Sequence, residues 1–158
     1  MAKSVPVQSL DKRHKLIVAV YVILRKPDGK VLLLKRANTG YRDGYYGLPA
    51  GHLESGESII LGAARETKEE VGVNLEPHNL KLVHVMHYIS SVPMPHDRLG
   101  FYFEATKWQD EPVNAEPHKC HELKWVSPKA LPANMVPEVN QALQMIARGE
   151  LYSDLGFS

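Results

Sequence analysis

Only one cysteine, Cys120, occurs in the chain, so no intrachain disulfide can form. A lone thiol fits a reducing compartment. Net charge is equally scarce: 19 Lys and Arg stand against 18 Asp and Glu, a formal +1 at pH 7. That balance supplies no field for a nucleic-acid polymer or an anionic membrane surface. Long apolar runs are missing too. The longest, LIVAVYVIL (Leu16–Leu24), has nine residues, against about 20 for a membrane-spanning helix. The opening MAKSVPVQSLDKRHK has no signal-peptide apolar stretch. Neither G-x-x-x-x-G-K-[ST] nor G-x-G-x-x-G occurs, so a P-loop or a dinucleotide-binding turn is not supported. These absences predict a soluble, cytoplasmic protein, with neither a membrane nor a nucleic-acid polymer as partner.

What is present is an ordinary globular balance, 44% apolar and 23% charged over 158 residues, enough to build one core. No repeat, low-complexity tract or linker divides the chain, so residues 1–158 read as a single domain, with 1–13 and 151–158 as loose ends. Leu16–Leu24 is rich in β-branched residues and reads as a buried strand. KPDGK (Lys26–Lys30) is a tight-hairpin signal, with the returning strand over Val31–Arg36. A loop rich in Gly and Tyr follows (Ala37–Gly47), then LPAGHLE as a short strand or turn.

Ser58 to Val71 reads as a helix with Ile60, Ala64, Thr67 and Val71 along one face and Gly72 as its cap. Strands return over Leu80–Ser90, Arg98–Trp108 and His121–Ser127, the Pro-rich VPMPHD separating the first two. A last helix starts at Pro137 and ends before Gly149, with Val139, Leu143 and Ile146 as its stripe. The order strands, helix, strands, helix predicts a mixed sheet packed between helices, an α/β sandwich.

One stretch breaks the charge balance. GHLESGESIILGAARETKEEVGV (Gly51–Val73) crowds Glu66, Glu69 and Glu70 into the last part of its helix, with only Arg65 and Lys68 as basic neighbours. At about 100° per residue the three carboxylates fall within an arc of roughly 100°. Like charges at this spacing repel, and the helix dipole disfavours them near its C-terminus. A solvated acidic face is the plain reading of three such glutamates. The concentration against repulsion points instead to a hard-oxygen site for Mg²⁺ or Mn²⁺.

Gly51, Glu57 six residues on, and RETKEEVGV from Arg65 to Val73 resemble the Nudix box, G-x5-E-x7-R-E-U-x-E-E-x-G-U with U aliphatic. Every invariant position is filled: Gly51, Glu57, Arg65, Glu66, Glu69, Glu70 and Gly72. Thr67 stands where an aliphatic residue is usual, so a local packing change and no loss of metal ligands is expected. The upstream YGLPAGHLE is also family-like.

The resemblance implies a Nudix-type α/β/α sandwich and a divalent-metal-dependent pyrophosphohydrolase. By carry-over, Glu66, Glu69 and Glu70 hold metal, joined by the backbone carbonyl of Ala50. Glu69 and Glu66 also head the catalytic candidates. Arg65 orients a carboxylate by a charge-assisted pair, and Glu57 ties the loop to the helix. Repulsion among the glutamates is then tolerated because metal and a polyphosphate substrate complete the site.

Members of the family often take a further ligand or base from beyond the box. Glu116, in a loop that could swing over the site, is preferred to Glu122, with a surface residue as the alternative for each. Tyr41 and Tyr45 could stack on a base and Arg42 could meet phosphate; a loop packed by its own aromatics is the competing reading. Tyr46 is expected to pack inward. Glu54 is a candidate support behind the metals. His84 and His87, three apart in a strand, point to opposite faces and cannot share a metal. His118, Cys120 and His121 lack the second cluster a structural zinc needs.

The expected function is hydrolysis of a P–O–P bond in a nucleoside diphosphate linked to another group, with a small nucleoside triphosphate as the substrate of choice. Its products are the monophosphate and pyrophosphate, and the protein is a monomer or homodimer. The alternatives are a non-catalytic nucleotide sensor, or a hydrolase of nucleotide sugars or dinucleoside polyphosphates. The intact box argues for the enzyme. An isomerase of the same fold is disfavoured, since Cys120 lies far along the chain from the box.

Overall fold

The computed structural model describes residues 12–90 and 96–158. Its first strand, β1 (Ile17–Leu24), is buried along almost its whole length, as a continuous apolar run requires. Both edges of β1 are taken. β6 (His96–Ala105) pairs with it in parallel and β4 (Ala50–His52) antiparallel. β5 (Lys81–Ser90) continues antiparallel to β6, and β8 (Tyr152–Leu155) runs parallel to β5. The result is a mixed five-stranded sheet, β4-β1-β6-β5-β8.

β2 (Val31–Arg36) starts a second sheet. It lies between β3 (Tyr46–Gly47) and β7 (Cys120–Val126), antiparallel to both. The Lys26–Lys30 turn is tight as expected: Lys26 N–H donates to the Lys30 carbonyl at 2.9 Å, and Gly29 takes φ 89°. Yet β1 and β2 are not hairpin partners. Their pairing stops after one bridge, Arg25 to Val31, because β1 has no free edge to offer.

The layers follow from the two-residue period of a strand. Tyr21 and Ile23 of β1, with Val31 and Leu33 of β2, join one core under helix α2 (Pro137–Ala147), against Val139, Ala142 and Leu143. Val20, Val22, Leu24, Leu32 and Leu34 join the other, under α1 (Ile59–Val71), against Ala63 and Val71. This is an α/β/α sandwich.

α1 begins at Ser58, whose hydroxyl accepts from Leu61 N–H, and ends at Gly72 in the left-handed region. Its buried face differs slightly from the expected stripe. Thr67 and Val71 are buried, but Gly62 and Ala63 hold the centre, with Ile60 and Ala64 only partly covered. Gly62 lies so close to Leu53 and Glu57 that an added Cβ would come within 3.0 Å of both. Thr67 satisfies its buried hydroxyl on the Ala63 carbonyl at 2.8 Å, which is how it replaces an aliphatic residue.

The expected loose end at 151–158 is corrected at residues 152–155, which form β8. His84, fully buried, bonds the Glu150 carbonyl and the Ser153 hydroxyl, each at 2.8 Å. The only buried residue of β8 is Ser153, so no apolar alternation announces the strand. Residues 1–11 of the other expected loose end, and 92–95 of the Pro-rich loop, lie outside the described residues. Among the described residues no helix is long and apolar enough to cross a membrane.

Candidate active site

β4 holds Ala50, Gly51 and His52 opposite Tyr21, Val20 and Ala19 of β1, which sets this short backbone segment against α1. At Gly51 the approach is extreme: an added Cβ would sit 2.0 Å from the Glu66 carboxyl carbon. The glycine is needed there for space, since its φ is not in the left-handed region. Ala50 meets the site through its N–H, which donates to Glu70 at 3.2 Å.

Arg65 organises the acids. Its Nε and Nη2 clamp both oxygens of Glu57, at 2.9 and 2.7 Å. Its Nη1 reaches Glu66 at 2.8 Å and Glu69 at 3.3 Å, while Nη2 also donates to the His52 carbonyl. The clamp and the Glu54 N–H hold the Glu57 carboxyl down at about 2. Glu57 therefore fixes loop to helix, as expected.

Burial has the opposite effect on Glu70, pushing it up to about 8, with the charges of Glu66 and Glu116 adding to the rise. Glu66 is also raised by burial, against the pull of Arg65. Glu69 is the most open of the three, its side chain 52% exposed against 14% for Glu66.

Glu116 reaches the same cluster by backbone docking. Val113 and Ala115 N–H groups donate to the Val71 and Glu70 carbonyls at 2.9 and 3.1 Å, using acceptors that a helix end leaves unpaired. Glu116 follows directly and forms an ion pair with Lys119 at 3.4 Å.

The acids occupy one wall of a cavity of about 570 Å³, within the usual range for small-molecule sites. Arg65, Glu66, Glu69, Glu70, Glu116 and Ala50 all line it, as do Glu54 and Tyr41. Arg42 and Tyr45 do not. Arg42 lines a smaller pocket of about 180 Å³ beside it and stacks on the Tyr45 ring, 5.4 Å away. Tyr45 packs against the α2 core. Tyr46 is buried as expected, and its hydroxyl bonds Glu122, which stays on the surface outside the cavity.

Other cavity residues went unforeseen: Arg36, Arg98, Lys119, Tyr88 and Glu138. Of these, Glu138 had a readable signal. It stands four residues before the buried Ala142, so the two share a helix face.

The donor set is carboxylate, the chemistry of Mg²⁺ or Mn²⁺, while the Ala50 backbone meets Glu70 through its N–H. The Glu70 carboxyl is raised first by burial and then by the charges of Glu66 and Glu116, against the pull of Arg36. Among the described residues no three His, Cys, Asp or Glu side chains are gathered closely enough to hold a metal ion; Arg65 engages Glu66 in this arrangement. The residues fit such an ion in kind.

The NUDIX domain family model matches residues 15–146. The chain belongs to the NUDIX family of hydrolases. It is 28% identical over 127 residues to the 8-oxo-dGTP diphosphatase of Escherichia coli K12, covering 80% of this chain and 92% of that one. It is 35% identical over 108 residues to the NAD-capped RNA hydrolase NudC of Stutzerimonas stutzeri A1501, covering 66% of this chain. Of NudC it spans only 35%, and of the human 8-oxo-dGDP phosphatase NUDT18 only 21%. Among solved structures, the MutT NUDIX hydrolase of Burkholderia pseudomallei superposes with a TM-score of 0.75 at 26% identity, covering 83% of this chain and 98% of that one.

Proposed function

We propose that this NUDIX chain is a divalent-metal-dependent pyrophosphohydrolase whose substrate is a small nucleoside triphosphate. The observation that carries the reading is the wall of the cavity. Four carboxylates, Glu66, Glu69, Glu70 and Glu116, face one space, one of them buried. Glu66, Glu69 and Glu70, with the Ala50 backbone and Glu116, would hold Mg²⁺ or Mn²⁺, which would supply charge neutralisation of the phosphates and acidification of the attacking water.

The chain's own groups do the rest. Arg65 holds Glu66 and Glu57 in position, a bidentate clamp that fixes the loop to the helix. Arg36 and Lys119, on the same cavity, offer positive charge to a polyphosphate. Glu69, the most exposed of the three helix acids, accepts the proton of the attacking water. The water oxygen bonds to phosphorus, the bridging P–O bond breaks, and pyrophosphate leaves with the bond's electron pair. The tyrosines Tyr21, Tyr41 and Tyr88 line the cavity and suit a planar base. The near-full-length likeness to a protein called an 8-oxo-dGTP diphosphatase supports a triphosphate over a nucleotide sugar.

The test is a hydrolysis screen over nucleoside triphosphates, nucleotide sugars, dinucleoside polyphosphates and ADP-ribose, with Mg²⁺, with Mn²⁺ and with EDTA. Monophosphate and pyrophosphate from a triphosphate, lost in EDTA, is the expected result. Full turnover in metal-free buffer, or turnover of nucleotide sugars alone, overturns the reading.

A further inference from the structure

The cavity holds a second buried acid that the hydrolytic reading leaves unused. Glu138, in the first turn of α2, is only 6% exposed, yet it lines both the main cavity and the smaller pocket beside it. The Tyr41 hydroxyl donates to its two oxygens at 3.1 and 3.2 Å, one proton shared between them. Its own backbone N–H is the other donor to it. A carboxylate has about four acceptor positions, so acceptor capacity remains on a residue that lines the cavity.

An acid here repels phosphate, so this wall receives an uncharged group that donates hydrogen bonds. The neighbours specify its shape. Tyr41 and Tyr88 line both pockets with Glu138. The Tyr88 hydroxyl is engaged with that of Tyr21 at 2.6 Å, and Tyr21 stacks on Tyr102 with ring centres 4.3 Å apart. Gly100 leaves room for this packing, since a Cβ there would lie 3.1–3.3 Å from all three rings. The wall is therefore a rigid aromatic surface with a fixed acceptor at its edge, suited to a flat heterocycle. Burial raises the Glu138 carboxyl, while the Tyr41 bond, Arg36 and Arg42 oppose that rise, and two further donors from a ligand favour the ionised form.

Two adjacent N–H donors on one ring edge are the mark of a guanine-type base. Adenine and cytosine present a donor beside an acceptor, and uracil a single N–H between carbonyls. We propose that Glu138 is the base-reading residue of this cavity, its carboxylate taking the paired N–H donors of a guanine-type ring while Tyr41 holds it in position. The proposal rests on the nucleotide reading above and adds the substrate class to it.

The experiment measures binding of GMP and AMP to the full chain by calorimetry, for the wild type, Glu138→Gln and Tyr41→Phe, with GTP and ATP hydrolysis alongside. The wild type should bind GMP at least tenfold more tightly than AMP, as expected for one bidentate pair. Glu138→Gln replaces one acceptor by a donor, so the ratio should fall to within about threefold of unity. Tyr41→Phe, which keeps the ring, should reduce the ratio by a smaller factor. Melting temperature reports folding, and Tyr41→Phe carries the test if Glu138→Gln does not fold. Equal binding of GMP and AMP by the wild type, or an unchanged ratio in folded Glu138→Gln, overturns the proposal and leaves the hydrolase reading standing. A GMP preference that depends on Glu138 in a protein that hydrolyses no triphosphate supports the proposal and sinks the hydrolase reading instead.

Discussion

The two helices each bring a desolvated glutamate to one cavity, half-buried Glu70 from one and buried Glu138 from the other, and the two acids live under opposite conditions. Glu70 of α1 has a single described donor, the Ala50 N–H, and the charges of Glu66 and Glu116 press on it, with the charge of Arg36 opposing them. Glu138 of α2 has the Tyr41 hydroxyl against it and the positive charges of Arg36 and Arg42 near it. Burial raises both, but only Glu70 is also raised by its neighbours. An uncompensated buried carboxylate costs stability until a counter-charge arrives. A compensated one can sit preorganised for a neutral ligand. The contrast divides the cavity into a wall crowded with negative charge and a wall that reads shape.

Removing a carboxylate from the acidic wall is the strongest way to break this contrast. Glu69→Gln and Glu70→Gln keep shape and delete charge. Each should lower kcat by about 10²-fold or more, the scale of losing one electrostatic stabiliser, with folding intact. Near-full kcat in both variants would reduce the helix to an acidic surface. Gly51→Ala sharpens the same point without touching an acid. Its Cβ would collide with the Glu66 carboxyl at 2.0 Å, and the side chain can yield where the backbone cannot. A kcat loss of about tenfold or more with a nearly unchanged melting temperature is expected. Unchanged kinetics would show that the position of Glu66 does not matter.

The acid spacing behind these predictions was legible because helix geometry is local: Glu66, Glu69 and Glu70 needed only the turn per residue. Glu116 could be named as a candidate, but its delivery depends on Val113 and Ala115 bonding the end of α1, which no side-chain pattern encodes. Glu138 shares a helix face with Ala142, yet a first-turn acid is ordinarily exposed, so that spacing alone did not place it in the cavity. Two sheets in place of one reflect edge occupancy, since β4 and β6 leave β1 no side for β2. β8 was invisible because its buried residue is a serine bonded to a buried histidine. Arg42 and Tyr45 fall outside the main cavity because Arg42 adopts φ 49° and turns onto Tyr45, which leaves Arg42 on the smaller pocket beside it.

A smaller effect concerns pH in metal-free buffer. Glu70 has a folded-state value of about 8, above its ordinary value of 4.5. Its stabilising contribution is therefore present below about 4.5 and is lost as pH rises through about 8. The metal-free melting temperature should fall between pH 6 and 9. Glu70→Gln should flatten that fall and melt higher at pH 9, by about 2–4 °C for each kcal/mol of strain relieved. A wild-type curve that rises over this interval would contradict the assignment.

The smallest predicted effect has the opposite sign and belongs to Glu57. Its folded-state value of about 2 lies below the ordinary 4.5, because Arg65 clamps both its oxygens. A depressed acid stabilises above its unfolded pKa, and that contribution is lost as pH falls from about 4.5 toward 2. Glu57→Gln removes the charge and leaves Arg65 with Glu66 and Glu69 as partners. The variant should melt lower than the wild type at pH 7, and the difference should shrink as pH drops below 4. Its kcat should fall less than that of Glu69→Gln or Glu70→Gln, since Glu57 holds the loop and does not touch the reacting atoms. Melting curves from pH 3 to 7 with kcat at pH 8 decide it. If Glu57→Gln costs as much kcat as Glu70→Gln while melting like the wild type, Glu57 acts in the chemistry and the clamp is not its purpose.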